Sequence, residues 1–260
     1  MLSVWLFRMI ASTMKSKLSI FFKFFIPPLF WLGIWQILAI IVDHKFLLPD
    51  IPATFNALIS LITTTSFYKA VIFSAIRVTI GLALGCFVGI VLAVLCQHFH
   101  IVKILTSPII TVIKSTPVAS FIVVLWVMLS GDVLSVFIGF LMVMPIIWQN
   151  VSNGFDAIDK SLLEVCEVFE FSYAKRFKIL IFPTLKNFLI PGVITASGLA
   201  WKAEIAAEVI AYTKNSIGQG INDAKYNMDT PTVFAWTAVI IIFSILLEKL
   251  TKKLLRRVEK

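Results

Sequence analysis

The sequence predicts an all-α membrane protein with six transmembrane helices and with both termini in the cytoplasm. Composition is the first observation behind this fold class: 59% of the 260 residues are hydrophobic and 14% are charged. Soluble domains average about 25% charged residues. The second observation is that apolar runs long enough to cross a bilayer recur along the chain.

Each predicted span is bounded by charged residues, prolines or turn-forming residues. After the first span, Pro49 and Pro52 predict a loop that leads into a short amphipathic helix. The turn at Ser130, Gly131 and Asp132 separates the third span from the fourth. The predicted spans are residues 24–42, 70–95, 108–129, 133–151, 188–212 and 231–247.

Lysine and arginine predict the orientation. One side of this topology carries sixteen of them, in the N-terminal segment, the turn at Lys103, the loop 152–187 and the C-terminal tail, whereas the other side carries four. Because basic residues accumulate on the cytoplasmic side of membrane proteins, both termini and the loop 152–187 are predicted to be cytoplasmic.

The predicted organisation has three parts. Residues 1–65 contain an N-terminal segment, the first span and the connecting helix; residues 66–252 form a five-helix core; and residues 253–260 are a basic tail. Arg8 interrupts the first apolar stretch, which disfavours a signal peptide. We therefore expect an interfacial helix there, with Trp5 and Phe7 among the lipid headgroups.

The net charge of +9 does not indicate nucleic-acid binding, because the basic residues stand mainly at the ends of spans, where they face lipid headgroups. The three cysteines are Cys86, Cys96 and Cys166, and their spacing supports neither a disulfide framework nor a zinc site. We expect no metal site.

The loop 152–187 predicts two short amphipathic helices. Ser161 and Glu164 have the spacing of a capping box, which predicts that Ser161 is the N-cap of the first helix. One apolar stripe follows, with helical spacing. Its members are Leu162, Val165, Cys166 and Phe169.

The second helix is predicted to begin after the capping residue Ser172 and to end at Pro183. The two helices would meet at Glu170, Phe171 and Ser172. They would form a charged corner with Phe169 and Phe171 near its tip. Such a corner is suited to binding another protein. A helical hairpin lying on the membrane surface explains the same residues equally well.

Ionisable residues inside spans are costly and indicate function. Glu204 and Glu208 are four residues apart and therefore share one helix face, on which Trp201 also lies. For Arg77, an internal ion pair with one of these glutamates is the preferred interpretation, ahead of contact with a transported solute. The candidates for a pathway or an intramembrane ion pair are Arg77, Lys114, Trp201, Lys202, Glu204 and Glu208.

Three glycines follow Arg77 at intervals of four residues. They are Gly81, Gly85 and Gly89. Small residues at this spacing predict close packing of two membrane helices.

The loop resembles the EAA loop of ABC importer permeases. Glu164, Val165 and Cys166 stand in the place of the family's Glu-Ala-Ala, and Pro183 has the spacing of the family's proline. Glu170 stands where the family usually has glycine, and Phe182 replaces the leucine before the proline.

Three further segments resemble the permeases of the nitrate, sulfonate, taurine and bicarbonate branch, so that the likeness covers nearly the whole chain. They are "LLPDIPATFNAL", "KSTPVASF" and "GLAWKAEIAAEVIA".

The resemblance implies a permease of the type I importer fold in the bacterial cytoplasmic membrane, working as a homodimer. The chain lacks the motif G-x-x-x-x-G-K-[ST], so ATP and magnesium are expected on two copies of a separate ATPase. An extracytoplasmic binding protein would deliver a small anionic solute. The ATPase-coupling residues implied are Glu164, Val165, Cys166, Glu167, Phe169, Glu170, Phe171, Ser172 and Pro183.

Two other classes stay open from the residues alone. An ion-coupled secondary transporter would contain an inverted repeat, and an integral membrane enzyme would contain a cluster of catalytic carboxylates or histidines at the ends of its spans. The sequence offers no convincing example of either feature.

Overall fold

The computed structural model describes residues 26–44 and 46–259, with side chains up to residue 255. The interfacial helix predicted around Trp5 and Phe7 lies outside these residues. The described helices are α1 (Ile26–Val42), α2 (Ile51–Ile62), α3 (Thr65–His98), α4 (His100–Ser115), α5 (Val118–Trp126), α6 (Gly131–Asp156), α7 (Lys160–Val168), α8 (Tyr173–Arg176), α9 (Phe182–Ile210), α10 (Ile217–Tyr226) and α11 (Thr230–Glu259).

The all-helical membrane architecture is confirmed. Within the described residues, four helical stretches are long and apolar enough to cross a bilayer, and the bent pair α4–α5 makes a fifth if it is counted as one span. Helix α1 is a shorter apolar helix in its described part. The four stretches are Thr65–His98, Gly131–Asp156, Tyr173–Ile210 and Thr230–Leu255.

The prediction of one continuous third span over residues 108–129 is wrong. Helix α4 ends at Ser115, α5 begins at Val118, and the two axes differ by 100°. Pro117 causes the break, because a proline forces the residue before it out of the helical region. Thr116 accordingly has extended angles, φ −83° and ψ 132°.

The core lies between α3, α6 and α9. The predicted glycine series faces α6. A β-carbon on Gly85 would lie 2.5 Å from the Cβ of Val143, and one on Gly89 would lie 2.8 Å from the carbonyl oxygen of Met144. Since real non-bonded carbons do not approach so closely, this helix crossing requires glycine.

The bundle has two distinct ends. The last turns of α3, α6 and α11 and the first turns of the α8–α9 run surround one apolar cavity of about 450 Å³, whose lining includes His98, Phe155, Phe177 and Leu255. At the opposite end, the beginnings of α3 and α6 meet the end of α9. Helices α3, α6 and α11 therefore run in one direction and α9 runs in the other.

Helices α1 and α2 flank α11. The ring of Trp35 stacks on Phe234, with ring centroids 5.6 Å apart, and its Nε1 donates a 3.1 Å hydrogen bond to the carbonyl oxygen of Pro49. Asp50 caps α2 by accepting a 2.7 Å hydrogen bond from the N–H of Ala53. The predicted connecting helix is present as α2, but Pro52 lies in its first turn and not in the loop before it.

The polar connector between the fifth and sixth predicted spans contains a helix that the sequence analysis did not predict. Ser216 caps α10 by accepting a 2.9 Å hydrogen bond from the N–H of Gln219, and Ile217 is completely buried. This connector is therefore partly a folded element packed against α9 and α11, and not only a solvated loop.

Candidate functional site

The loop between α6 and α9 forms a compact helical corner, residues 159–176, which we call the coupling corner. The two predicted helices are present as α7 and α8. Ser172 caps α8, since its Oγ accepts a 3.4 Å hydrogen bond from the N–H of Lys175. The corner projects from the end of the bundle that is opposite Arg77.

The prediction that Ser161 caps the first helix is wrong. Asp159 is the N-cap, and its Oδ1 accepts hydrogen bonds from the hydroxyl of Ser161 and, at 2.9 Å, from the N–H of Ser161. These bonds hold the pKa of Asp159 below its usual value. The capping box failed as a signal because a carboxylate two residues earlier is an equally good cap.

Glu170 has a left-handed backbone, with φ 51°. The N–H of Phe171 donates to the carbonyl of Cys166 and the N–H of Glu170 donates to the carbonyl of Glu167, both at 2.9 Å. This pair of bonds is a Schellman motif, in which the left-handed residue is usually glycine. The turn therefore keeps the geometry for which glycine is suited, and Glu170 adopts it at an energetic cost.

Side-chain contacts stabilise the corner on the α8 side. Arg176 donates a 3.0 Å hydrogen bond to the carbonyl oxygen of Phe171 and forms an ion pair with Glu167 at 3.3 Å. The Nζ of Lys175 lies 3.6 Å from the centroid of the Phe171 ring, within the range of a cation–π contact. Phe171 is thus held inside the corner.

Much of the apolar surface of the corner is exposed. Of the predicted stripe Leu162, Val165, Cys166 and Phe169, only Cys166 is buried. The side chains of Val168, Phe169 and Tyr173 are 80%, 67% and 69% exposed. These exposed residues form an apolar tip, whereas Glu164 and Glu167 are exposed on the same helix.

The prediction that Pro183 ends the second helix is also wrong. The helical run continues from Tyr173 to Ile210, through a π-helical turn at Phe177–Ile181. A proline removes an N–H donor and crowds the preceding turn, and widening that turn into a π-helix accommodates it. The corner is therefore joined to a membrane-crossing helix without a break.

Arg77 links three parts of the chain at the opposite end of the bundle. Its Nη1 lies 3.1 Å from Glu208 Oε1 on α9, and its Nη2 lies 2.7 Å from Asp132 Oδ1 at the start of α6. Nη2 also donates a 3.0 Å hydrogen bond to the carbonyl of Lys214. The ion pair expected between Arg77 and a glutamate of the fifth span is present.

Glu208 is completely buried and well supplied with donors. Its Oε2 accepts hydrogen bonds from Ser74 Oγ at 2.8 Å and from the N–H of Gly218 at 3.4 Å. Ser74 Oγ in turn accepts a 3.1 Å bond from the N–H of Ile217. Together with the Arg77 ion pair, these bonds tie α3, α9 and α10 together.

Glu204 has a different environment. It is also completely buried, but neither of its carboxyl oxygens has a hydrogen-bond partner among the described residues. The side chain fits between Gly81 of α3 and Gly139 of α6, where there is no β-carbon to exclude it. The two glutamates thus lie on one helix face, but only Glu208 pairs with Arg77.

Trp201 is a core residue. It is 1% exposed, its Nε1 donates a 3.1 Å hydrogen bond to the carbonyl of Ile240, and its ring stacks on Phe243. It therefore joins α9 to α11.

Lys114 and Lys202 are brought together, as lining residues of one cavity of about 420 Å³ beside the break between α4 and α5. Within the described part of the chain, no carboxylate oxygen lies within ion-pair distance of either lysine. The carboxylate partner considered for Lys202 is thus not found there.

Four residues of this region were not predicted from the sequence: Ser74, Asp132, Gly139 and Gly218. Ser74 lies three residues before Arg77 and so on the same helix face, which was an available signal. Asp132 was assigned only to a turn. The contacts of Gly139 and Gly218 depend on which helices cross, and a single sequence does not contain that information.

Structural comparison shows which solved proteins share the fold. The fold is similar to that of a chain of an amino acid ABC transporter solved with histidines, with a TM-score of 0.60, 15% identity, and coverage of 74% of this chain and 93% of the other. It is also similar to a chain of a bacterial ABC transporter involved in the import of the acidic polysaccharide alginate, with a TM-score of 0.64, 12% identity, and coverage of 97% and 96%. The chain thus shares its fold with chains of ABC transporters.

Sequence comparison shows the family. The chain belongs to the family described as the inner membrane component of binding-protein-dependent transport systems, whose model matches residues 81–260. It is 26% identical to a putative ABC transporter permease protein of Methanocaldococcus jannaschii over an alignment of 229 residues, and the match covers 83% of each chain. A probable ABC transporter permease protein of Brucella melitensis is 26% identical over 182 residues, 70% of this chain and 74% of the relative.

The protein is therefore a permease subunit of an ABC importer. This membership decides between the three classes that the residues alone left open, in favour of a transport subunit that works with an ATPase and a binding protein.

Proposed function

We propose that this permease carries a small anionic organic solute, of the sulfonate, taurine, nitrate or thiamine-precursor type, across the bacterial cytoplasmic membrane. The solute is delivered by an extracytoplasmic binding protein. Two copies of the chain form the pathway, and two ATPase subunits, which bind ATP and magnesium, drive the exchange between inward-facing and outward-facing packings.

The coupling corner is the observation that carries this proposal. Its tip exposes Val168, Phe169 and Tyr173 to solvent, although exposing large apolar side chains outside a membrane is unfavourable. Clusters of exposed aromatic residues on a rigid support are typical of protein-binding hot spots. A groove on the ATPase would cover this tip.

The continuous helical run supplies the mechanical link. Because α8 continues through the π-helical turn into α9, a displacement of the corner is transmitted to the helix that carries Lys202, Glu204 and Glu208. ATP-driven closure of the two ATPase subunits would in this way move the residues that line the centre of the permease.

The proposed orientation has six spans with both termini in the cytoplasm. The coupling corner and the end of α11 then lie on the cytoplasmic side, and the Arg77 network lies on the outer side. A polar hollow of about 480 Å³ opens near that network, and its lining includes Lys69, Asn215, Gln219 and Asp223. This hollow is the proposed docking surface for the binding protein.

Co-purification from the native membrane tests the proposal. The tagged permease is extracted in a mild detergent, and the proteins that accompany it are identified by mass spectrometry and by ATP binding. We expect an ATP-binding partner in a near-equimolar amount, and we expect it to be lost when residues 164–171 are scrambled.

The scrambled variant is compared only if it still inserts and elutes as a single species in size-exclusion chromatography. Recovery of the intact wild-type permease without any ATP-binding protein would contradict the proposal and would favour a corner that lies on the membrane surface.

A further inference from the structure

The cavity lined by Lys114 and Lys202 lies at the middle of the membrane-crossing body. It contacts α6 at Leu141 and Pro145, some ten to fourteen positions into a helix of 26 residues. At a rise of about 1.5 Å per residue, this places the cavity roughly 15–20 Å from either end of α6. It is thus separated from both the coupling corner and the Arg77 network.

The cavity lies beside the break in the third predicted span. Thr116 and Val118 line it on either side of Pro117, where the axis turns by 100°. Lys114 lines it from the last turn of α4.

The charge of the cavity is positive. Apart from the two lysines and Thr116, its lining is apolar. Neither acid of α9 lines the cavity, because Glu208 pairs with Arg77 and the Glu204 side chain lies between Gly81 and Gly139. Both lysines are exposed in the single chain, lie at membrane depth and have no ion-pair partner among the described residues. Ionisable residues inside membrane spans usually serve function.

We propose that Lys114 and Lys202 bind the anionic group of the transported solute in this cavity. The inference deepens the proposed function, on which it rests, by assigning the solute's binding residues. Each ammonium offers three donors to sulfonate, carboxylate or phosphate oxygens, and the volume of about 420 Å³ accommodates a small organic anion with an apolar body against the helix walls.

Binding of small probes tests the assignment. The permease, in complex with its ATPase, is placed in phosphatidylcholine nanodiscs, and equilibrium dialysis measures the binding of butanesulfonate, butyrate and butyl phosphate, with butylammonium as the cationic counterpart. We expect at least one anion to bind saturably and the cation not to bind.

Charge removal locates the site. Lys114→Gln and Lys202→Gln should each weaken anion binding at least about tenfold, because each variant loses a hydrogen bond between two charged groups. The matched control is Lys103→Gln, also on α4 but outside the cavity lining, which should bind like the wild type. The Lys114→Arg and Lys202→Arg variants should keep most of the affinity.

Three outcomes would overturn the inference: equal binding of anion and cation, unchanged binding in both glutamine variants, or an equal loss in the Lys103 control. A lipid headgroup is the other source of an anionic group. If phosphatidylglycerol in the nanodisc abolishes probe binding and co-purifies with the wild type but not with the glutamine variants, the cavity is a lipid site.

A failure of the cavity assignment can be distinguished from a failure of the proposed function. Retention of the ATPase depends on the coupling corner and is measured on the same samples. A complex that keeps its ATPase but binds no anion contradicts the cavity assignment and the anionic solute, but not the ATP-driven importer.

Discussion

The carboxyl group of Glu204 occupies the space that a β-carbon on Gly139 would fill. A β-carbon built there would overlap Glu204 Oε1, and one built on Gly81 would overlap the same oxygen and approach the carbonyl oxygen of Val136 to 2.9 Å. Two glycines on two helices thus form the compartment of one buried acid. The crossing of α3, α6 and α9 depends on this fit.

Gly139→Ala should therefore be one of the most disruptive single-methyl substitutions in the chain. Overpacking of a well-packed core costs about 1–3 kcal/mol, and here the added carbon meets a side chain enclosed on both sides. We expect a clear fall in thermal stability in detergent, measured as the folded fraction after heating, and a partial recovery in the double variant Gly139→Ala with Glu204→Ala.

The control is Gly198→Ala on α9, since a β-carbon on Gly198 meets nothing within 4 Å among the described residues. Replacement of an unconstrained helical glycine by alanine is neutral or stabilising by about 1 kcal/mol at most. Equal effects of the two alanine substitutions would contradict the compartment.

Arg77 should be needed for folding because Glu208 has no exposure to solvent. Breaking a buried ion pair by removing one partner costs about 3–5 kcal/mol, since an uncompensated charge remains. We expect Arg77→Gln to reduce strongly the yield of monodisperse protein. Adding Glu208→Gln should restore much of it, because the second substitution removes the unpaired carboxylate.

Arg77→Lys should not restore the wild-type yield, because one ammonium cannot contact Asp132, Glu208 and the Lys214 carbonyl as the guanidinium does. Asp132→Asn should have a small effect, since the side chain of Asp132 is 71% exposed and exposed ion pairs contribute little. A strong loss of yield in Asp132→Asn with a mild loss in Arg77→Gln would contradict the prediction that the Glu208 ion pair matters more than the Asp132 ion pair.

Hydropathy was enough to predict the membrane class. Prolines, capping residues and the helical spacing of apolar residues were enough to predict helix α2 and the two helices of the coupling corner. These features are local, because each depends on a stretch of neighbouring residues. The ion pair of Arg77 with the fifth span was also predictable, since a buried arginine needs an acid and few acids lie in spans.

The details that the sequence did not reveal depend on tertiary contacts or on competition between similar signals. Asp159 displaced Ser161 as the cap because both are good capping residues two positions apart. Pro117 broke its helix whereas Pro108 and Pro183 did not, and proline alone does not distinguish these outcomes. The position of Glu204 between two glycines depends on how three helices pack against one another.

Glu170 should be replaceable by glycine with a gain in stability. A left-handed conformation costs an L-residue about 1–2 kcal/mol, whereas glycine adopts it readily but loses more chain entropy on folding, about 0.5–1 kcal/mol. We expect Glu170→Gly to stabilise the corner by up to about 1 kcal/mol, visible as slower proteolysis between α7 and α8.

The matched control for this prediction is Glu164→Gly, the same change inside α7, where glycine should destabilise the helix by about 1 kcal/mol. The same substitution of glutamate by glycine is therefore expected to stabilise the protein at position 170 and to destabilise it at position 164. Faster proteolysis of Glu170→Gly would show that the left-handed turn is not maintained in the protein.

Phe169 and Phe171 should contribute to ATPase binding in different ways. Their ring centroids are 6.1 Å apart, but Phe169 is 67% exposed whereas Phe171 lies under Lys175 and supplies a carbonyl to Arg176. Phe169→Ala should leave the permease as stable as the wild type and weaken ATPase retention at least about 30-fold, the effect of losing a hot spot of 2 kcal/mol. Phe171→Ala should weaken retention and also speed proteolysis of the corner.

Phe87→Ala is the control, since Phe87 is equally exposed, at 68%, on the membrane-crossing helix α3. Titration of the purified ATPase against each variant in nanodiscs measures the affinity, and equal affinities for Phe169→Ala and Phe87→Ala would mean that the tip of the corner does not bind the ATPase.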